Sequence, residues 1–165
     1  MRLTRFTDYG LRTLIYLGSL GPRQGSIAGV AAAYGISEHH LVKVVHQLGR
    51  LGLIRTTRGR GGGLLLGRPA DQIRVGDVVR AMEEDLALVP CFAGAACAIT
   101  PACRLKGVLN EALAAFLAVL DRHTLADLLE PNAGQDLAAL LGIDPMPSID
   151  EPASRMPRRP VDPVR

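Results

Sequence analysis

Residues 26–67 run SIAGVAAAYGISEHHLVKVVHQLGRLGLIRTTRGRGGGLLLG. Ser26 stands where a helix N-cap is expected, ahead of a helix over Ile27–Tyr34 with Val30 and Ala31 facing inward. Gly35 ends that helix and Ile36 fills the turn. Ser37 is placed to N-cap the next helix, with Glu38 in the first turn where an acid complements the helix dipole. Leu41, Val44, Val45 and Leu48 then form an apolar face, and His39, His40, Lys43, His46, Gln47 and Arg50 share the opposite one before Gly52 closes the helix. Two short helices joined by a tight glycine-containing turn make a helix-turn-helix pattern. The β-prone run Leu53–Thr57, the glycine-rich tip Arg58–Gly63 and the returning Leu64–Leu66 read as a β-hairpin, a wing.

A recognition helix presents donors to base edges from its N-terminal half, where His39, His40 and Lys43 sit. His46 and Arg50 lie further along, nearer a backbone. Ser26 and Ser37, at helix starts, can bind phosphate together with free backbone N–H groups. Arg58 and Arg60 at the wing tip can enter a minor groove or clamp phosphates. Charge agrees: residues 1–68 carry ten Arg or Lys against two acids, a net +8, whereas residues 69–165 carry nine against fourteen, a net −5. That asymmetry points the first segment at a polyanion, here double-stranded DNA. The glycines at 59–63 do not make a phosphate loop, because no Lys-Ser/Thr follows them. No Ser/His/Asp or Cys/His arrangement suggests an enzyme.

Upstream, Leu11, Leu14 and Ile15 mark a first helix over residues 7–20, ended by Gly21-Pro22. Downstream, Ile73-x-Val75 leads into a helix over about Gly76–Glu84, and residues 86–100 are loop-like. Thr100 is read as the N-cap of a long helix with Pro101 at its first position, running to Arg122 or His123. Leu105, Leu109, Ala112, Phe116 and Val119 recur along it at a 3.5-residue period, a packing seam whose natural partner is the same helix of a second copy. Leu125–Leu129 and Asp136–Ile143 read as short helical pieces. Six of the eleven prolines fall from Asp144 onward. The expected fold class is mainly α with a small β-hairpin. Residues 1–75 form a winged helix-turn-helix domain, 76–130 a loop and dimerisation helix, and 131–165 a flexible Pro-rich tail.

Residues 86–103 carry no charge, yet Pro90, Pro101 and Gly94 break the stretch and its alanines leave it weakly apolar, so a membrane span is rejected. No secretory h-region follows Met1, and a cytoplasmic protein with reduced thiols is expected. Cys91, Cys97 and Cys103 are spaced C-x5-C-x5-C, unlike the CxxC knuckles of zinc ribbons and ferredoxins. Three thiolates in a charge-free loop suit a soft metal centre, and three buried structural thiols are the plainer alternative. With no fourth cysteine in the chain, one iron of a cluster needs another ligand; Asp8, Glu83, Glu84, Asp85 and the histidines are candidates.

These stretches together resemble the NsrR/IscR family of winged-helix regulators, and within it the nitric-oxide-sensing branch. The resemblance is carried by Met1–Gly10 (MRLTRFTDYG), Gly35-Ile-Ser37 with Leu41–Val44, Gly52–Ile54 with the Gly61–Gly63 wing, Gly76–Val79, the three cysteines and Leu109–Leu113, over about residues 1–130. It implies a homodimeric repressor with crossed long helices. Each cluster then lies between the cysteine loop of one subunit and the first helix of the other, with Asp8 as fourth ligand. Lys106 occupies the place where IscR-like members carry histidine, which favours an oxygen-ligated [4Fe–4S] cluster over [2Fe–2S]. An IscR-like iron-status regulator and a metal-free thiol redox regulator are the alternatives. Asp8 also stands four residues before Arg12 and three after Arg5, a spacing that by itself makes ordinary surface ion pairs. Arg12, Glu84 and Asp85 are the residues expected to couple the cluster to the DNA-binding head.

Overall fold

The computed structural model describes residues 2–57, 59, 62–131 and 136–144. Helix α1 spans Arg5–Ser19; Thr4 caps it, its hydroxyl accepting the Thr7 amide. The apolar side chains of α1 that face inward, Leu14 and Leu17, are joined there by buried Gly10, Thr7 and Thr13. Both threonine hydroxyls are satisfied, Thr13 donating to the Tyr9 carbonyl at 2.7 Å and Thr7 pairing with Thr4 at 3.1 Å. A buried hydroxyl without such a partner would destabilise the core by about 1–3 kcal/mol.

Helices α2 (Ile27–Tyr34) and α3 (Glu38–Arg50) flank a turn in which Gly35 adopts φ +63°, the left-handed conformation that only glycine takes without strain. Leu41, Val44, Val45 and Leu48 are the buried residues of α3, as the sequence pattern requires. Strands β1 (Ile54–Thr56) and β2 (Leu64–Leu66) pair antiparallel with Ile54 opposite Leu66 and Thr56 opposite Leu64. Leu64 also exchanges both backbone hydrogen bonds with Gly25, at 2.8 and 2.9 Å, tying the wing root to the start of α2. A Cβ on Gly67 would fall on the Gly52 carbonyl oxygen, so backbone crowding fixes glycine there.

Helix α4 spans Val75–Met82 and buries Val75, Val78, Val79 and Met82. Met82 reaches α1 where Gly10 leaves room for it. Beyond the loop, α5 spans Leu105–Asp121, and no residue of it is buried. The chain then returns: Val75 donates to the His123 carbonyl and Leu125 to the Ile73 carbonyl, at 2.9 and 2.7 Å. Helix α6 (Leu125–Leu129) starts on a capping box between Thr124 and Asp127 and buries Leu125 against the core. Arg80 of α4 makes a bidentate pair with Asp121 at the end of α5, both bonds 2.6 Å.

Two expectations are corrected. The long helix does not start at Thr100: Thr100–Ala102 is a separate 3-10 turn, Cys103 is extended, and α5 begins at Leu105. Proline suits the first position of either helix type, so Pro101 does not tell them apart. The second concerns only where the tail begins: the short helical piece expected over Asp136–Ile143 is present, and the segment from 136 to 144 packs on the core. Residues 137–140 form helix α7 (Leu137–Leu140), Ile143 is 7% exposed within the core, and Arg23 donates to the Asp144 carbonyl at 2.7 Å. Residues 145–165, where the prolines cluster, lie outside the described residues.

Candidate DNA interface and thiol loop

Burying four apolar residues of α3 forces its other face outward. His39, His40, Lys43, His46 and Arg50 are all exposed there. His40 stands between His39 and Tyr9 of α1, with ring centroids 6.2 and 6.5 Å away, so the first turn of α3 presents a band of imidazoles braced by α1. The two serines differ. Ser26 spends its oxygen on the Gly29 amide at 2.9 Å, whereas Ser37 occupies the N-cap position without a side-chain capping bond. Ser37 therefore keeps its whole hydroxyl for an external partner, and Ser26 keeps its proton to donate while its oxygen is held by the Gly29 amide. Arg58 and Arg60 lie outside the described residues.

Sequence reasoning missed a second wall of this surface. On β1 Ile54 is buried while Arg55 and Thr56 are exposed, and they face His46 and Arg50 across a cleft of about 740 Å³. The inward position of Ile54 was the available signal: on a strand the next side chain must point the other way.

The thiols sit on the loop between α4 and α5. Cys91 lies in a 3-10 turn over Pro90–Ala93 and is half-buried, Cys97 is exposed, and Cys103, half-buried, follows the second turn. All three are free. Among the described residues, no three of the His, Cys, Asp and Glu side chains come together as a metal site within one chain. As donors they suit a thiophilic centre, being soft, unpaired and on a loop with no charged residue from 86 to 103. Gathering them needs loop movement, a ligand from elsewhere, or both.

Asp8 lies in the first turn of α1 and pairs with Arg12 at 3.0 Å, the ordinary i,i+4 arrangement with both side chains about two-fifths exposed. The Arg12 guanidinium also rests 5.5 Å from the Tyr34 ring centroid on α2. Burial pushes the Tyr34 phenol above its usual pKa, and Arg12 partly offsets that shift. Of the acids preceding the loop, Asp85 accepts the Ala87 amide at 2.6 Å and Glu84 is exposed. Glu83 instead accepts both the backbone N–H and the hydroxyl of Thr4, at 2.8 and 3.1 Å. The root of the thiol loop is thereby tied to the N-cap of α1, the helix that carries Asp8.

The chain matches the family model described as "Rrf2: Iron-dependent Transcriptional regulator" over residues 3–131. It is 54% identical over 136 residues to the HTH-type transcriptional regulator NsrR of Geobacillus kaustophilus (strain HTA426), covering 81% of this chain and 92% of that one. Among solved structures it is similar to CymR of B. subtilis, described as a global cysteine regulator, at 30% identity and a TM-score of 0.65 over 78% of this chain and 95% of that one. It is also similar to IscR of T. potens at 28% identity and a TM-score of 0.62, over 78% and 86%. These relatives are regulators of transcription and not enzymes, and the helix-turn-helix with its exposed basic face fits that role. The chain belongs to the Rrf2 family of winged-helix transcription regulators.

Proposed function

We propose that this regulator represses transcription as a homodimer on double-stranded operator DNA and releases it in response to nitric oxide. Its grip on DNA depends on an iron–sulfur cluster, [4Fe–4S] in the intact protein. Cys91, Cys97 and Cys103 of one copy and Asp8 of the other hold it. The observation that carries the reading is the pairing of three free thiols on an uncharged loop with a 17-residue helix, α5, that buries nothing in its own chain. Leu105 and Val108 are each 60% exposed and Val119 44%. A helix this apolar and this open is explained by a second copy lying across it, which also brings a second α1 toward the loop. Similarity to NsrR supports the nitric oxide assignment.

Cys91, Cys97 and Cys103 with Asp8 would hold the cluster, which would supply iron chemistry reactive toward a small diatomic. The chain's own residues do the rest. To reach the second copy's loop, Asp8 leaves its pair with Arg12, and Arg12 stays seated over Tyr34 of α2. The Glu83–Thr4 bonds hold the loop root against α1, and α1 packs on α3. Losing the Asp8 link frees one α1 from the other copy's loop, and the spacing of the two recognition helices is no longer fixed. A hundredfold fall in affinity needs about 2.7 kcal/mol of coupling, within the usual allosteric range. The protein purified without oxygen is expected to contain iron and sulfide and to absorb in the visible. Cys97→Ala is expected to abolish that band while leaving the helical circular dichroism intact. A colourless wild-type protein carrying zinc contradicts the cluster.

A further inference from the structure

Val42 is a large apolar side chain of α3 outside the buried face, 53% exposed, next to Lys43 and one turn before His46, in a cleft whose floor also includes Ile27, Val45 and Ile54. At about 100° per residue it stands roughly 70° around the helix from the centre of the line formed by His39, Lys43 and His46. It occupies the flank toward the wing, where it lines the cleft with His46, Arg50, Arg55 and Thr56. A lone exposed valine is ordinary on a protein surface. This one sits in the N-terminal half of a recognition helix, in a cleft with an arginine on each wall.

With α3 in the major groove and the hairpin beside the adjacent minor groove, one sugar–phosphate strand runs between them. Arg50 and Arg55 stand on the two sides of that path. Major-groove base edges offer hydrogen-bond donors, acceptors and one apolar group, the thymine C5-methyl. Of these only the methyl suits a valine. We infer that Val42 is a specificity-determining residue that packs on a thymine C5-methyl in each operator half-site, with Arg50 and Arg55 holding the phosphates of the neighbouring strand. The inference rests on the DNA-binding part of the proposed function and is independent of the cluster.

The test selects binding duplexes from a random pool with the wild-type homodimer and with Val42→Ala in parallel, then replaces single thymines of the chosen duplex by deoxyuridine. The wild type is expected to require thymine at one place in each half-site. Deoxyuridine there weakens its binding about three- to fourfold per half-site, the loss for one buried methyl-sized group at about 0.8 kcal/mol. Val42→Ala is expected to bind both duplexes alike. Arg55→Ala is expected to weaken binding to every duplex and lower the salt slope by about 1 while keeping the thymine preference. A wild type indifferent to deoxyuridine at every position, or a Val42→Ala variant with unchanged discrimination, overturns the inference and leaves DNA binding standing. A wild type that selects no sequence removes both.

Discussion

Asp121 shows how single atoms set the stance of α5. Its carboxylate accepts both Arg80 bonds, and a Cβ on Gly76 would fall on one of its oxygens, so glycine at 76 is what lets the pair close. The Arg80 hydrogen bonds hold the Asp121 carboxyl below its usual pKa, and the Thr124 amide and hydroxyl do the same for Asp127. A carboxyl depressed in the folded state contributes stability above its unfolded value, about 4, and that contribution is lost as pH falls through the lower folded value. Asp121→Asn is expected to flatten the dependence of urea-unfolding stability on pH below about 4 and to leave the m-value unchanged. Identical pH slopes for variant and wild type contradict the role given to the pair. Gly76→Ala is expected to push the Asp121 carboxylate off Arg80 and so to flatten the same pH dependence. A wild-type pH slope in Gly76→Ala contradicts it. None of this was legible in the sequence, because Arg80 and Asp121 are 41 residues apart and no periodicity links them.

Among the elements, α3 was the most legible. Its four apolar positions recur at helical spacing and are the four residues buried. Local signals failed where two structures share them: Thr100-Pro101 opens a 3-10 turn as readily as an α-helix. The helical piece expected over Asp136–Ile143 is present and places Ala138, Leu141 and Ile143 on the core, so the tail boundary at 131 was drawn too early; the prolines cluster only from 145 onward. The seam on α5 was read as apolar, and the chain covers it only in part: Leu109 and Phe116 are half-buried while Leu105 and Val119 stay exposed. Leu105→Asp combined with Val119→Asp puts two charges on that seam. Light scattering is expected to show a monomer, while helical content stays at the wild-type level because neither residue is buried in its own chain. A dimer of undiminished stability in this variant means that the copies associate through another surface.

For the whole molecule, the charge division between residues 1–68 and the remainder separates the basic helix-turn-helix head from the loop and helix proposed to meet a second copy. The three cysteines were visible from spacing alone. The spacing left their fourth partner open among several acids and histidines, and the resemblance alone singled out Asp8, which within one chain pairs with Arg12. Glu83, and not Glu84 or Asp85, ties the loop root to α1, a contact spanning 79 residues that sequence proximity could not rank. The account therefore stands on one titration: nitric oxide added without oxygen to the iron-loaded protein on its selected duplex, with affinity followed by fluorescence anisotropy. It predicts a fall of about a hundredfold, or about 2.7 kcal/mol, that Asp8→Ala largely abolishes by starting from the weakened state. Iron-loaded protein that holds the duplex equally well before and after nitric oxide contradicts it.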